Sequence, residues 1–162
     1  IANEFHLRFS IEHCTDGYLI VDELVRNHVQ CLLGPTVGGK GKIEARNKTF
    51  EAGQILENAG ITFGLITDAP FVPIEGQLLQ AALYVKNGLS REMALKCLTI
   101  NNAIITDIDS RVGSLEPGKD ADVVIWDVEP LATLSQAGIV IIDGQIAYRR
   151  KAGESNVDYQ KL

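Results

Sequence analysis

Ile61-Thr-Phe-Gly-Leu-Ile-Thr-Asp-Ala-Pro70 is the stretch on which the architecture turns. Ile61–Thr67 is a short apolar run of strand character. Asp68-Ala69-Pro70 ends it sharply, because proline cannot continue a hydrogen-bonded ladder and restricts the residue before it. Working upstream, Thr49–Asn58 (TFEAGQILEN) reads as a short helix with Gly60 at its stop. Thr36–Lys48 is rich in Gly and Lys and reads as a long loop above the sheet. Val29–Leu33 (VQCLL) is a second, buried strand, halted by Gly34-Pro35. Between it and an earlier strand, Leu7–His13 (LRFSIEH), the apolar positions in Tyr18-Leu19, Val21 and Leu24-Val25 recur at helical spacing. Asp16 stands where it can cap that helix. Working downstream, Gly76–Asn87 is an apolar helix closed by Gly88. Ser90 is a good N-cap for a helix over Arg91–Leu98. A further short helix covers Asn102–Thr106. Strand, helix, strand, helix, strand, helix argues for parallel strands joined by crossover helices.

After Ser110 the pattern changes. Pro117-Gly118 makes a tight turn, Lys119 and Asp120 punctuate, and a strand follows over Asp122–Trp126 (DVVIW). Ile139–Ile142 and Gln145–Tyr148 are two more strands. Asp143-Gly144 between them is a strong hairpin signal. From about Lys151 the tail is polar and expected to be loosely held. A parallel α/β unit followed by a small β unit thus comes from pattern alone. Three strand–helix units cannot close a (β/α)₈ barrel, which needs eight. A small open sheet and part of a barrel both remain open at this point.

Composition sets further bounds. The chain has 162 residues, 46% hydrophobic and 22% charged, a globular balance. Its net charge of −6 and the lack of a dense Lys/Arg cluster other than Arg149-Arg150-Lys151 argue against a nucleic-acid partner. No apolar run approaches the ~18–20 residues of a membrane span, and no signal peptide is visible. The three cysteines, Cys14, Cys31 and Cys97, are odd in number and widely spaced, unlike a disulfide framework. A reducing, cytoplasmic setting is the simplest expectation. The chain starts at Ile1 rather than Met, so upstream residues are expected.

Two residues stand out chemically. His13 lies at the C-terminal end of the first strand, the end at which barrel enzymes build their sites. An imidazole there can bind a divalent metal through one ring nitrogen; the plainer alternative is a hydrogen-bonded loop histidine. Asp68 holds the equivalent place on the third strand. A carboxylate there can ligate a metal and accept a proton from water, or it can simply cap the turn before Pro70. Glu12, Asp16, His28, Lys40 and Glu75 are weaker candidates. Glu12 alternates with His13 and is expected to point away from it. His28 reads as a solvated cation at a helix end. Gly38-Gly39-Lys40-Gly41 lacks the GxxxxGK[ST] pattern and reads as a flexible loop.

Gly113–Asp127 (GSLEPGKDADVVIWD) and Ile141–Arg150 (IIDGQIAYRR) resemble the C-terminal signature of the amidohydrolase superfamily. Ile11–Leu24 (IEHCTDGYLIVDEL), Gly60–Gly76 (GITFGLITDAPFVPIEG), Gly88–Ala103 (GLSREMALKCLTINNA) and Arg111–Asp127 follow in the order and approximate spacing of its imidazolonepropionase-related group. The likeness covers Leu7 to Arg150. The first two stretches point to this subgroup, and the others are shared more widely. The resemblance implies that Leu7–His13, Val29–Leu33 and Ile61–Thr67 are strands six, seven and eight of a TIM-type (β/α)₈ barrel. Residues 1–109 would be the partial barrel, 110–150 part of a small β-sandwich domain, and 151–162 a C-terminal tail.

It also implies a chemistry. His13 matches the strand-six histidine ligand and Asp68 the strand-eight aspartate, which members use to hold one or two divalent ions, here expected to be zinc. The parent protein would be a metal-dependent hydrolase acting on non-peptide C–N bonds of a small cyclic or linear amide. Asp68 would take the proton from the attacking water and pass it to the leaving nitrogen. Pro35 and Thr36, just past strand seven, would line the substrate pocket. The family's His-x-His pair on strand one, its strand-five histidine and its strand-four lysine or glutamate have no counterpart here. The chain alone is therefore expected to be an inactive C-terminal fragment, either a homo-oligomer or joined to the missing N-terminal half. Two rivals remain: a non-catalytic binding or assembly module on a half-barrel, and a Xaa-Pro dipeptidase-like member of the same superfamily.

Overall fold

The alternation of strand and helix builds a small parallel sheet. The computed structural model describes residues 1–39 and 41–151 and divides the chain into two compact units, residues 1–114 and residues 115 onward. In the first, helix α1 (Ala2–Phe5) precedes strand β1 (Ser10–Ile11). A 3₁₀ turn over Gly17–Ile20 leads into α2 (Val21–Arg26), then β2 (Gln30–Leu33). A second 3₁₀ turn, Ile43–Ala45, precedes α3 (Glu51–Asn58) and β3 (Phe63–Leu65). A third, Ile74–Gly76, opens onto α4 (Gln77–Lys86), followed by α5 (Arg91–Leu98) and α6 (Ile100–Ile105).

The sheet order is β1-β2-β3, all parallel. Ser10 and Ile11 lie opposite Gln30 and Cys31, and Cys31, Leu32 and Leu33 lie opposite Phe63, Gly64 and Leu65. The central strand is buried from Cys31 to Leu33, with Cys31 and Leu33 wholly inaccessible. That is why its sequence reads as a continuous apolar run. The core continues through Phe63, Leu65, Leu56, Ala52 and Tyr84. Helices α3 and α4 approach closely at Gly53, where a Cβ would stand 2.8 Å from a ring carbon of Tyr84. Phe50 meets the same ring edge-on, with centroids 5.1 Å apart.

Local signals act where the sequence places them. Ser90 caps α5, its hydroxyl accepting from the Met93 N–H at 3.1 Å. Gly60 and Gly88, with φ of 71° and 104°, follow α3 and α4 in the left-handed region that glycine tolerates.

Several expectations are corrected. The strand over Leu7–His13 contracts to Ser10–Ile11, because the positions opposite Leu7–Phe9 would fall at 27–29, where α2 and its turn end. His13 itself has φ 53°, outside the strand region. Asp16 does not cap the following helix; its carboxylate instead accepts from Asn47 Nδ2 at 3.0 Å. The last helix begins at Ile100 rather than Asn102. Lys40 and the tail beyond Lys151 lie outside the described residues.

The two outer strands differ at their free edges. The outward carbonyl of Phe63 accepts from Asn101 Nδ2 (2.8 Å) and Cys97 Sγ (3.1 Å). That of Leu65 accepts from Gln77 Nε2 (2.6 Å) and Asn102 Nδ2 (3.1 Å). Side chains of α4, α5 and α6 thus occupy the acceptors of the β3 edge.

The second unit is a three-stranded antiparallel sheet, β4 (Val123–Trp126), β5 (Ala137–Ile142) and β6 (Gln145–Arg149), in that spatial order. Ile142 pairs with Gln145, so Asp143-Gly144 is a two-residue loop. Their φ values of 50° and 74° are those of a type I′ turn. Asp122 Oδ1 and the Ala121 carbonyl accept from the two turn N–H groups at 2.8 and 3.0 Å. Among the described residues, no helix is long and apolar enough to cross a membrane.

Candidate active site

Each candidate ligand leaves its strand through a left-handed residue. His13 stands two residues past β1 with φ 53°, and Asp68 three residues past β3 with φ 54°. Both side chains are turned into the same space, with His13 Nε2 and Asp68 Oδ2 4.0 Å apart and each side chain about half exposed. As an ion pair so exposed, they would contribute little to stability. Their geometry says more. His13 Nδ1 lies 3.1 Å from the Gly34 carbonyl, one residue past β2. A carbonyl only accepts, so Nδ1 carries a proton, and in the neutral ring Nε2 is then the nitrogen with the lone pair, facing Asp68. That is how a metal-binding histidine is normally held.

A cavity of about 770 Å³ opens over these groups. Ile11, Leu19, Ile20 and Phe71 form apolar walls, and Pro35 lines it as expected from its place after β2. Thr36 is placed differently. It is buried, its N–H donates to Gln80 Oε1 at 2.8 Å, and its hydroxyl is bonded to the Tyr84 hydroxyl. Glu12 borders the cavity alongside His13, because strand alternation has stopped at Ile11. Gly39, Gly41 and Lys42 border it too, which brings the Gly/Lys loop to the site. Sequence reasoning passed over Lys48, a buried lysine on the cavity wall, and Cys14 beside His13. A helical or strand period carries no signal for either, since both sit in irregular segments.

The thiols are structural in character. Cys14 and Cys31 share a hydrogen bond that lowers the Cys14 pKa and raises that of Cys31. Burial pushes Cys97 up to about 12. All three are reduced and buried.

His13 and Asp68 can serve one divalent ion. Ligand atoms at ordinary zinc distances and tetrahedral angles stand about 3.4 Å apart, so the observed 4.0 Å would close slightly around one ion. The set is incomplete for a structural or catalytic zinc site, which takes three or four protein ligands. Among the described residues no group of three or more His, Cys, Asp or Glu converges.

Comparison with known proteins agrees with this fold. The Amidohydrolase family profile matches residues 9–148, and the chain belongs to that family. A crystal structure of an amidohydrolase from Thermotoga maritima superposes with a TM-score of 0.88 at 37% identity, over 92% of this chain and 39% of that one. The fold is therefore α/β and related to the TIM barrel. The amidohydrolase tasK of Hapsidospora irregularis is 34% identical over 64% of this chain and 10% of its own length. Within the family the chain is related to the imidazolonepropionases: that of Shewanella baltica is 35% identical over 50% of this chain and 21% of its own length. The chain thus spans a small part of the curated relatives it matches.

Proposed function

We propose that this chain supplies the C-terminal part of a metal-dependent amidohydrolase, contributing strands six, seven and eight of its barrel as β1, β2 and β3 and part of a small β-sandwich. The observation that carries the reading is the pair His13 and Asp68, on strands either side of β2, meeting at 4.0 Å with Nδ1 of His13 bonded to a backbone carbonyl. His13 Nε2 and Asp68 would hold a divalent ion, zinc by preference, together with ligands from outside this chain. Such an ion, when bound, supplies a water acidic enough to ionise near pH ~7.

The remaining chemistry belongs to the chain's own residues. The substrate class is a small cyclic or linear amide whose scissile C–N bond is not a peptide bond. Pro35 and the apolar wall of Ile11, Leu19 and Phe71 would bind its body and exclude water. Asp68 Oδ2 accepts the proton as the water oxygen bonds to the carbonyl carbon. As the C–N bond breaks, Asp68 returns that proton to the leaving nitrogen. His13 orients against the Gly34 carbonyl and does not itself need to change protonation.

Two protein ligands are too few, so the chain alone is expected to bind zinc weakly and to hydrolyse no amide. Metal analysis after extensive dialysis, with an amide hydrolysis assay, tests this. Joining the chain to a segment carrying the other ligands should bring stoichiometric zinc and turnover, both lost in His13→Ala. Tight stoichiometric zinc with turnover by the 162-residue chain alone would overturn the reading, as would a joined protein whose metal content ignores His13.

A further inference from the structure

Gln80 lies on α4 with its side chain wholly inaccessible to solvent. A buried amide without partners is costly, and this one has partners at both ends. Its Oε1 accepts from the Thr36 N–H at 2.8 Å, and its Nε2 donates to the Ile66 carbonyl at 2.8 Å. Those partners lie past β2, whose end carries the carbonyl that faces His13, and past β3, whose end carries Asp68. Thr36 is two residues beyond Gly34, whose carbonyl orients His13. Ile66 is two residues ahead of Asp68.

Gly34 is also held against the same amide. With φ 123°, it is packed so closely that a Cβ there would stand 2.4 Å from the Ile66 carbonyl oxygen and 3.0 Å from Gln80 Nε2. One turn further along α4, the Tyr84 hydroxyl bonds the Thr36 hydroxyl. The chain past β2, which holds the Gly34 carbonyl against His13, and the chain past β3, which bears Asp68, are therefore fastened to one helix.

We propose that Gln80 is a positioning residue for the His13–Asp68 pair. By bridging Thr36 N–H and the Ile66 carbonyl it sets where the Gly34 carbonyl stands, and so which nitrogen of His13 faces Asp68. A methionine of similar volume would fill the same space but would leave both strand-end groups without their partner. The proposal rests on reading His13 and Asp68 as the site, and it concerns the imidazole before any metal arrives.

The test is ¹⁵N NMR of histidine-labelled full chain, with the pH raised until the imidazole signals stop moving. The His13→Gln spectrum assigns the signal, and His6 and His28 serve as internal references. The wild-type His13 signal should be dominated by the Nδ1–H form. In Gln80→Met the share of that form should fall to about half or less of its wild-type value, because the hydrogen bond made by one ring nitrogen fixes tautomer and ring orientation. Gln80→Glu keeps the shape and the acceptor for Thr36, and should give a smaller shift in the same direction. Ser90→Ala, a destabilised control remote from the site, should leave the tautomer as in wild type. An unchanged tautomer in Gln80→Met, or in Gln80→Glu should the first variant not fold, overturns the proposal; so does an equal change in Ser90→Ala. Failure of the joined protein to take up metal would strike the metal reading and leave this result standing.

Discussion

His13 and Asp68 share a backbone device as well as a place. Each leaves a parallel strand through a positive φ, which re-aims the side chain across the top of the sheet. Such conformations are uncommon for non-glycine residues and cluster at functional positions. Another residue-scale consequence lies in the core. Cys97 is held neutral by burial, with its pKa raised from 9.0 to about 12, and its thiol donates to the Phe63 carbonyl. Above pH 9.0 the unfolded chain loses this proton while the folded chain keeps it. The unfolded state then binds fewer protons, so stability falls as pH rises from about 9 towards about 12. Cys97→Ser keeps a donor but does not titrate there. Urea midpoints measured at stepwise alkaline pH should therefore decline less steeply in Cys97→Ser than in wild type. Parallel declines would show that this thiol contributes nothing to the alkaline loss.

Helices α3, α4 and α5 are tied together by contacts small enough to test singly. Gly53 admits the Tyr84 ring at the α3–α4 crossing, so Gly53→Ala forces a shift of that ring or of the helix. Overpacking of this kind costs about 1–3 kcal/mol, and urea denaturation should show it despite alanine's better helix propensity. An unchanged or raised midpoint would mean that the crossing adapts freely. Ser90 joins α5 to α3: its hydroxyl accepts from Met93 N–H and donates to the Glu57 carboxylate, which also accepts the Ser90 N–H at 2.9 Å. Ser90→Ala should cost about 1 kcal/mol, the usual loss of an N-cap. A loss below about 0.3 kcal/mol would sink that assignment.

Taken as a whole molecule, the chain presents a parallel sheet with two outer strands. The acceptors of the β3 edge are engaged by Asn101, Asn102, Gln77 and Cys97. The β1 side, flanked by the exposed side chains of Leu7 and Phe9, is the edge where another strand can add. If the chain is part of a barrel, strand five belongs there. We expect the isolated chain to associate through this side, with a second copy or with the remaining barrel segment. Sedimentation at low micromolar concentration checks it: a stable single species at 17.6 kDa would contradict the expectation and would favour a self-sufficient α/β unit.

What the sequence determined by itself is whatever depends on local pattern. Val29–Leu33 and Ile61–Thr67 are mostly apolar runs with Gly and Pro stops, and within them Gln30–Leu33 and Phe63–Leu65 are parallel strands because a helix separates them. Ser90 caps through its own hydroxyl and Asp143-Gly144 turns through its own backbone, both within a few residues, so their roles were legible in the sequence. The family was legible too, because its motifs are contiguous. What only the tertiary structure decided involves residues far apart in the chain. The extent of β1 is set by where β2 begins. Thr36 is turned to Tyr84 and Gln80, 48 and 44 residues away. Asp16 serves Asn47 rather than a helix end. No periodicity records such pairings, because a polar side chain bonds whichever buried donor or acceptor the fold brings to it, and that choice is made only when the elements pack.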